Sequence, residues 1–469
     1  QTDGVAAGWR RQAPADPAEH TSVIGQVRES QNRRQKADGR RQSPQLVRCV
    51  GRRDNTQNNQ CHRDRHRKRR LGQPPGSQHG EQQHRPQADR GNTGGRAPGH
   101  DAAQHRPPTS AMIPQRGTPQ ALGSTGQQPH QYPGVMDPAK PLREIAYFKD
   151  RAREDPRRVM AYRRAADLID SLDDAARERH GRANSWQSLP GIGPRTAKVI
   201  QQAWSGQEPD TLTELRSSAV DFGGGEIRAA LRGDLHCHSD WSDGSAPIAE
   251  MMFTAKRLGH EYCALTDHSP RLKVANGLSA ERLRHQLDVI DELRERLTPF
   301  RILTGIEVDI LDDGTLDQEP GLLDRLDIVV ASVHSKLSMD AAAMTRRMVR
   351  AVSNPRVNVL GHCTGRLVTG GPGTRSESKF DAAEVFAACL DHGTAVEINS
   401  RPERRDPPTR LLNVALEIGC NFSIDSDAHA PGQLDFLGYG AQRALEAAVP
   451  VDRIVNTWTA EELLSWARP

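Results

Sequence analysis

Residues 233–244 read Gly-Asp-Leu-His-Cys-His-Ser-Asp-Trp-Ser-Asp-Gly, and this stretch decides the fold. Leu235 leads into a His-x-His pair, and residues two apart on a β-strand point to the same side. His236 and His238 can therefore reach one metal ion. Asp243 lies in the turn that follows, from which it can curl back as a third ligand. A His-x-His pair alone is a weak signal, because many such pairs are ordinary surface or core histidines.

The rest of the C-terminal half alternates strand-like and helical runs, which predicts repeated βα units and favours an α/β barrel. Seven strand-like runs are predicted, at residues 233–239, 262–269, 301–310, 327–335, 357–364, 394–400 and 421–429. Helical patterns lie between them, at residues 248–257, 280–296, 341–352, 381–391 and 408–418. Functional residues of such barrels gather at the C-terminal ends of the strands.

Side chains that bind metals recur at these strand ends, which packing alone does not explain. They are His236, His238, Asp267, His268, Glu307, His334, His362, Glu397, Asp427 and His429. Imidazole and carboxylate ligands suit zinc, manganese or iron. Asp267 and Glu397 are predicted to orient histidines rather than to bind metal. Four other histidines, His180, His260, His285 and His392, are predicted to be surface residues.

The first 135 residues differ in composition from the rest of the chain. They carry 22 Lys/Arg and 10 Asp/Glu, a net +12, which leaves a net −8 for residues 136–469. Trp9 and Tyr132 are their only aromatic residues, so we predict a disordered basic tail. Its cluster at 63–70 is either a solvated run or a nonspecific nucleic-acid contact. A third hypothesis is that Met136 is the true start and that residues 1–135 are mis-assigned upstream sequence; mass spectrometry of the native N-terminus tests it.

The seven cysteines indicate reduced thiols rather than a disulfide framework, because their number is odd and no Cys-x-x-Cys spacing occurs. No stretch approaches the ~20 apolar residues of a membrane span. No secretion signal is apparent. The predicted location is the cytoplasm, with no membrane partner.

A glycine-rich turn at residues 189–200 reads Leu-Pro-Gly-Ile-Gly-Pro-Arg-Thr-Ala-Lys-Val-Ile. Gly191 and Gly193 let backbone N–H groups face outward near a helix N-terminus, an arrangement suited to one DNA phosphate. Arg195 and Lys198 are close enough to assist. The alternative is an ordinary turn between helices that requires glycine. The stretch resembles the helix-hairpin-helix motif, whose implied role is sequence-independent contact with the DNA backbone.

Helical patterns precede this turn at residues 142–148 and 156–169. The second pattern is predicted to present a solvated face of arginines, namely Arg157, Arg158, Arg163 and Arg164. The second matching piece is the Asp-Pro-Arg-Arg-Val-Met-Ala-Tyr-Arg-Arg-Ala-Ala run at 155–166. Taken whole, residues 142–216 resemble the N-terminal DNA-binding domain of family X DNA polymerases. In that family the domain grips DNA backbone near an end or gap, so DNA is the implied partner.

Residues 233–438 resemble the polymerase and histidinol phosphatase (PHP) family of metal-dependent phosphoesterases. The matching pieces are His-Cys-His-Ser-Asp-Trp-Ser-Asp-Gly, Leu-Thr-Asp-His-Ser, Gly-Ile-Glu-Val-Asp-Ile, Ala-Ser-Val-His-Ser, Val-Glu-Ile-Asn-Ser and Ile-Asp-Ser-Asp-Ala-His. Gly-His-Cys-Thr-Gly-Arg at 361–366 is similar to the PHP domain at the C-terminus of bacterial family X polymerases. The resemblance implies a distorted β/α barrel with three divalent metal ions at its mouth.

The resemblance also implies a role for each ligand position, and all nine positions hold a competent residue. The first metal would take His236, His238, Glu307 and Asp427; the second Glu307, His334 and His362; the third Asp243, His268 and His429. The predicted catalytic residues are His236, His238, Glu307, Asp427 and His429. Lys336, Arg366 and Arg401 follow ligand strands, so each is either a phosphate-binding residue or an ordinary surface charge.

These features predict a disordered tail (1–135), a helix-hairpin-helix DNA-binding domain (137–232) and a PHP phosphoesterase domain (233–469). The implied activity is 3′–5′ exonuclease or 3′-end processing. Fewer than ~20 residues separate Arg216 from Gly233, too few for a polymerase core, so no polymerase activity is expected. The alternatives are a small-molecule phosphatase of the histidinol phosphatase type and a non-catalytic DNA-binding adaptor. The sequence leaves the metal, the end polarity and the oligomeric state open.

Overall fold

The computed structural model describes residues 136–369 and 373–468. The predicted basic tail and its cluster at 63–70 lie outside the described residues. No helix in these two ranges is long and apolar enough to cross a membrane.

Five helices form the N-terminal part of the described chain: α1 (Ala139–Arg151), α2 (Pro156–Ser171), α3 (Asp174–Ala183), α4 (Pro194–Trp204) and α5 (Asp210–Ser217). The helix α2 begins where the sequence predicts, because the Asp155 side chain accepts hydrogen bonds from the N–H groups of the first turn and Pro156 fits the first helical position. The apolar faces meet in one core that includes Leu142, Ile169 and Trp186, all fully buried.

A short helix α6 (Gly225–Ala230) leads into a sheet of seven parallel strands that are neighbours in sequence order. They are β1 (Gly233–Cys237), β2 (Tyr262–Leu265), β3 (Arg301–Asp309), β4 (Ile328–Ser332), β5 (Val359–Leu360), β6 (Ala395–Asn399) and β7 (Phe422–Asp425). The sheet nearly closes, because Cys237 and Ala428 form a parallel bridge and the His238 N–H donates to the Ala428 carbonyl at 2.8 Å. The predicted distorted barrel is confirmed.

Eight helices accompany the strands: α7 (Ile248–Arg257), α8 (Ala280–Leu297), α9 (Pro320–Leu323), α10 (Ala341–Val352), α11 (Ala382–His392), α12 (Thr409–Ile418), α13 (Leu437–Glu446) and α14 (Ala460–Ala467). The strands are buried nearly throughout, as expected for a parallel sheet covered by helices. Most strands end before the predicted runs do, so several metal-type side chains lie in the loops just beyond the sheet.

The helical part packs against the barrel through a buried ion network. Arg163 is only 4% exposed; it donates to Asp150 within the helical part and, at 2.9 Å, to Glu250 Oε1 on α7. Gly432, just beyond the barrel's last strand, lies so close to α1 that a Cβ there would come within 2.1 Å of the Tyr147 carbonyl oxygen. The prediction of a solvated arginine face is therefore wrong for Arg163, because the neighbouring barrel covers it.

His260, at the start of the strand region after α7, is buried, so the prediction of a surface position is wrong for it. Neither ring nitrogen has a hydrogen-bond partner among the described residues. Burial, together with the charge of Arg228, lowers the pKa of His260 to about 3. A neutral imidazole is therefore favoured in the folded protein over the whole range in which a free histidine titrates.

We expect His260 to make the folded state sensitive to acid. The pKa of a histidine is near 6.5 in the unfolded chain, so below that pH the unfolded state binds a proton that the folded state does not. This linkage removes about 2 kcal/mol of the free energy of unfolding between pH 7 and pH 5. Urea unfolding at both pH values should show this loss in the wild type and not in His260→Phe. His392→Gln, which removes an exposed imidazole, is the control; an unchanged pH dependence in His260→Phe would contradict the prediction.

Candidate metal centre

Nine side chains with metal-binding groups come together at the carboxyl ends of the strands. His236 and Glu307 lie within β1 and β3, and the others lie in the turns that follow the strands: His238, Asp243, His268, His334, His362, Asp427 and His429. Parallel strands present their carboxyl ends at one rim, so these loops meet there. Most of these side chains are buried, and Asp243 is the most accessible at 36% exposure.

Glu307 is the centre of the group. Its Oε2 lies 3.3 Å from His236 Nε2 and 2.8 Å from His268 Nδ1. Its Oε1 lies 3.2 Å from His334 Nε2 and 2.8 Å from His362 Nε2. One carboxylate with two oxygens that each face imidazoles from different strands is arranged to bridge two metal ions.

The ligand atoms form three overlapping groups, in each of which all atoms lie within 4.8 Å of one another. These groups are His236/His238/Glu307, His268/Glu307/His334 and His238/Asp243/His268/His429. The first group contains only ligands that the resemblance assigns to the first metal. The third contains the three ligands assigned to the third metal together with His238, which the resemblance assigns to the first. The second joins His268, rather than His362, to Glu307 and His334. Asp427 adjoins the first group, with its Oδ1 3.4 Å from His238 Nε2.

Several of these buried ligand atoms lack hydrogen bonds among the described residues. They include His236 Nε2, both ring nitrogens of His238 and of His334, His362 Nδ1 and Glu307 Oε2. A buried polar atom without a partner costs roughly 1–3 kcal/mol, and several in one place require an explanation. Imidazole nitrogens and carboxylate oxygens that converge in this way fit divalent metal ions.

The charged neighbours of Glu307 and Asp427 favour the ionised form of both carboxylates. Burial would raise the pKa of Glu307, but His334 and His268 hold it well below its usual range. Burial would also raise the pKa of Asp427, but the charges of Arg401 and Arg404 hold that pKa well below its usual range. The carboxylates are therefore ionised at neutral pH, as metal binding requires.

Burial and the charge of Arg404 lower the pKa of His362 to about 4. Burial and two neighbouring imidazoles, His429 and His268, hold the pKa of His238 well below its usual range. Both rings are therefore neutral at pH 7, so each has a free lone pair to offer a metal ion.

Comparison with protein-family models decides what this barrel is. A model described as "PHP domain" matches residues 234–401, and one described as "Helix-hairpin-helix domain" matches residues 136–208. The barrel is a PHP domain. The resemblance predicted from the motifs is confirmed, and the helical part carries the predicted helix-hairpin-helix domain.

Several known proteins are similar to part of this chain. The chain is 37% identical over 259 residues to a Bacillus subtilis protein named DNA polymerase/3′-5′ exonuclease PolX, a match that covers 55% of this chain but only 44% of that relative. It is 29% identical over 236 residues to a probable phosphatase of a Thermoanaerobacter species, covering 48% of this chain and 89% of the relative. A histidinol phosphate phosphatase from Lactococcus lactis, solved with zinc, L-histidinol and phosphate, is 17% identical with a TM-score of 0.32, covering 50% of this chain and 93% of that one.

Further carboxylates hold the histidines of the PHP domain in place. Glu397 Oε1 lies 2.6 Å from His236 Nδ1, which turns the other ring nitrogen toward Glu307, as predicted. Asp309 accepts the backbone N–H of His334 at 3.1 Å, and its Oδ1 lies 3.5 Å from that ring's Nδ1. Sequence reasoning missed Asp309, although its position two residues after Glu307 on one strand places both on the same side of the sheet.

No histidine among the described residues forms a hydrogen bond with Asp267, so the predicted orienting role is wrong for it. Its carboxylate accepts the Ser239 N–H at 2.8 Å and the Ser242 hydroxyl at 2.5 Å. Gln286 on α8 donates to the same carboxylate at 2.6 Å. Asp267 therefore stabilises the turn that carries Asp243; it does not orient an imidazole ring.

The three predicted phosphate-binding side chains lie in different environments. Arg401 Nη1 lies 3.2 Å from His429 Nδ1 and 3.6 Å from Asp427 Oδ1, at the rim of the metal centre. Lys336 is 61% exposed and pairs with Asp312 at 2.6 Å. Arg366 donates to backbone carbonyls of residues 404 and 405, so it supports that loop.

Arg404 is a residue that sequence reasoning missed. Its Nε donates to Asp427 Oδ2 at 3.0 Å, and its buried Nη1 has no hydrogen-bond partner among the described residues. Asp427 itself has φ +50°, in the left-handed region that side chains rarely adopt, and such strain often accompanies functional positions. In the sequence, the only feature that could have pointed to Arg404 was the high number of arginines after the strand that carries Glu397.

The glycine turn of the helix-hairpin-helix domain has the expected backbone. Gly191 has φ +82°, and Gly193 is the N-cap residue of α4, with open space where a Cβ would lie on either residue. The Gly193 N–H, however, donates to Thr196 Oγ1 at 3.0 Å. That N–H group is therefore already paired within the turn, contrary to the expectation that it faces outward.

The predicted basic side chains of this turn are accessible. Arg195 is exposed and forms no ion pair with the described residues. Lys198 is 65% exposed and pairs with Asp210 at 2.7 Å. Exposed pairs of this kind contribute little, so a DNA phosphate can compete for Lys198.

Proposed function

We propose that this protein is a metal-dependent phosphoesterase that processes DNA ends, of the 3′–5′ exonuclease or 3′-end processing type. The observation that carries the proposal is the set of imidazoles and carboxylates around Glu307 whose buried donor atoms lack hydrogen bonds. A purely structural adaptor would not need such an array at an accessible rim.

Divalent ions held by these residues would polarise a phosphoryl group and make water a stronger nucleophile. The chain supplies the other requirements. Glu307 and Asp427 stay ionised, and Glu397 and Asp309 fix the directions of His236 and His334. Arg401, at the same rim, is placed to bind the phosphoryl oxygens and to balance their charge.

The helix-hairpin-helix domain supports DNA as the substrate. The relative named as a polymerase and 3′-5′ exonuclease shares the PHP region, and we extend the exonuclease part of that name to this chain. Only residues 209–233 separate the two matched domains, and we propose no polymerase activity. Extension of a primer by the pure protein would contradict that part of the proposal.

A second candidate function is hydrolysis of a small phosphate ester. The relatives named probable phosphatases match over about nine tenths of their own length, so a PHP domain alone makes up most of them. Histidinol phosphate is the small ester to test. The additional DNA-binding domain of this chain favours the first candidate.

Incubation of the metal-loaded protein with 3′-labelled DNA and, separately, with histidinol phosphate distinguishes the candidates. We expect nucleotides to be released from the 3′ end by the wild type and not by His236→Ala. Phosphate release from histidinol phosphate alone would favour the second candidate. Hydrolysis of neither substrate would favour the adaptor.

Lys198→Ala tests the contribution of the helix-hairpin-helix domain. We expect its affinity for DNA to fall several-fold and the dependence of binding on salt to weaken, because one phosphate contact is lost. Lys379→Ala, which removes an exposed lysine of the barrel, is the matched control. Fluorescence anisotropy over a range of salt concentrations measures both; equal affinities for the two variants would contradict the role of Lys198.

A further inference from the structure

A row of arginines runs from the metal centre to the helical domain. Its inner members contact ligands: Arg404 donates to Asp427, and Arg401 lies against His429. Arg405 is exposed, and its side chain forms no ion pair with the described residues. Arg153, in the turn between α1 and α2, completes the row. We call Arg401, Arg404, Arg405 and Arg153 the arginine path.

Glu403 joins the two ends of the arginine path. Its Oε1 accepts from Arg401 Nη2 at 2.7 Å, and its Oε2 lies 3.5 Å from Arg153 Nη2. The Arg405 N–H donates to the Arg401 carbonyl at 3.2 Å, so both arginines belong to one tight turn at this rim. The helical domain therefore brings one of its arginines to the rim of the barrel's metal centre.

The two outer arginines have unusual backbone conformations. Arg153 has φ +56° and Arg405 has φ +48°, both in the left-handed region where glycine or asparagine is common. Arginine gains nothing from that conformation, and neither side chain is buried to stabilise the core. Such outliers at the edge of a site motivate a functional hypothesis.

Charge favours a polyanion as the partner of this surface. The part of the chain after residue 135 is net −8, which disfavours attraction of nucleic acid from a distance. The arginine path is a local exception, with four guanidinium groups against the two carboxylates of Glu403 and Asp427. A small phosphate ester would need only the inner arginines, whereas a strand with successive phosphates can use the whole row.

We propose that the arginine path guides a single nucleic-acid strand from the helical domain to the metal centre, so that both domains contact the strand at once. The proposal rests on the proposed function and adds the route of the substrate to it. It also assigns Arg153, a residue of the DNA-binding domain outside the glycine turn, to the rim of the active site.

The test compares the double variant Arg153→Gln/Arg405→Gln with Arg325→Gln/Arg346→Gln, which removes two exposed barrel arginines outside the path. Binding is measured by anisotropy with a labelled, phosphorothioate-linked single strand at several salt concentrations. Hydrolysis is measured with the ordinary strand and with bis(p-nitrophenyl) phosphate, a small diester. Thermal unfolding of each variant shows that it is folded.

We expect the path variant to bind the strand about tenfold more weakly and to show a salt slope smaller by about 1 to 2, because two phosphate contacts are lost. The ratio of kcat/KM for the strand to that for the diester should fall about tenfold, and the control variant should resemble the wild type. Equal losses on both substrates, an unchanged affinity, or no binding of the strand by the wild type would overturn the proposal. If the proposed function is wrong, the wild type will hydrolyse neither substrate. The binding measurement then tests the arginine path by itself.

Discussion

Glu307→Gln should reduce kcat/KM for phosphoester hydrolysis by about 10³-fold or more, because we predict that this carboxylate bridges two metal ions and that its loss removes several kcal/mol of transition-state stabilisation. The variant keeps the shape of the side chain but loses its negative charge and one of the two oxygens that face the imidazoles. Fewer divalent ions should remain bound, since two of the three groups of metal-binding atoms contain Glu307. Activity assays and elemental analysis of the same preparation measure the two effects together.

Glu417→Gln is the control for this substitution, because Glu417 is an exposed glutamate on α12, away from the metal centre. It should keep both the activity and the metal content of the wild type. A Glu307→Gln protein that retains its metal ions and hydrolyses substrate at the normal rate would contradict the bridging role. A variant that keeps its metal ions but loses activity would restrict that role to catalysis.

The barrel and its ligand set could be predicted because they follow from local rules. Alternating strands and helices specify parallel βα units, and parallel strands place their carboxyl ends at one rim. A histidine or carboxylate at each strand end then approaches the others without any knowledge of the packing. Glu397 was predicted for the same reason, since it lies on β6 facing the ring of His236.

The errors concern contacts that depend on packing between distant segments. Asp267 and Asp309 occupy similar positions near strand ends, yet only Asp309 contacts a histidine, because the turn after β1 folds back over Asp267. His260 lies between Gly259 and Glu261 in the sequence but is covered by the tertiary structure. Arg404 contacts Asp427 only because its loop is held by other groups, among them Arg366. Sequence spacing does not encode these relationships.

Arg163→Met should cost about 3–5 kcal/mol of the free energy of unfolding, because it leaves two carboxylates near the domain boundary without their partner. Arg163 donates to Asp150 and Glu250, which belong to α1 and to barrel helix α7. Burial already raises the pKa of Asp150 to about 6, even beside the guanidinium group. Removal of that group favours the protonated acid further, so the destabilisation should be largest above pH 6 and smaller at pH 5.

The neighbouring Arg164→Met is a matched control, since it removes an exposed arginine from the same helix and should change stability by less than about 0.5 kcal/mol. The triple variant Arg163→Met/Asp150→Asn/Glu250→Gln should recover much of the loss, because no unpaired charge remains. Urea unfolding at pH 5 and pH 7.5 measures all three proteins. Equal stabilities of Arg163→Met and Arg164→Met would show that the network does not hold the helical domain against the barrel, and the contact between Arg153 and Glu403 would then lack the rigid support that the arginine path requires.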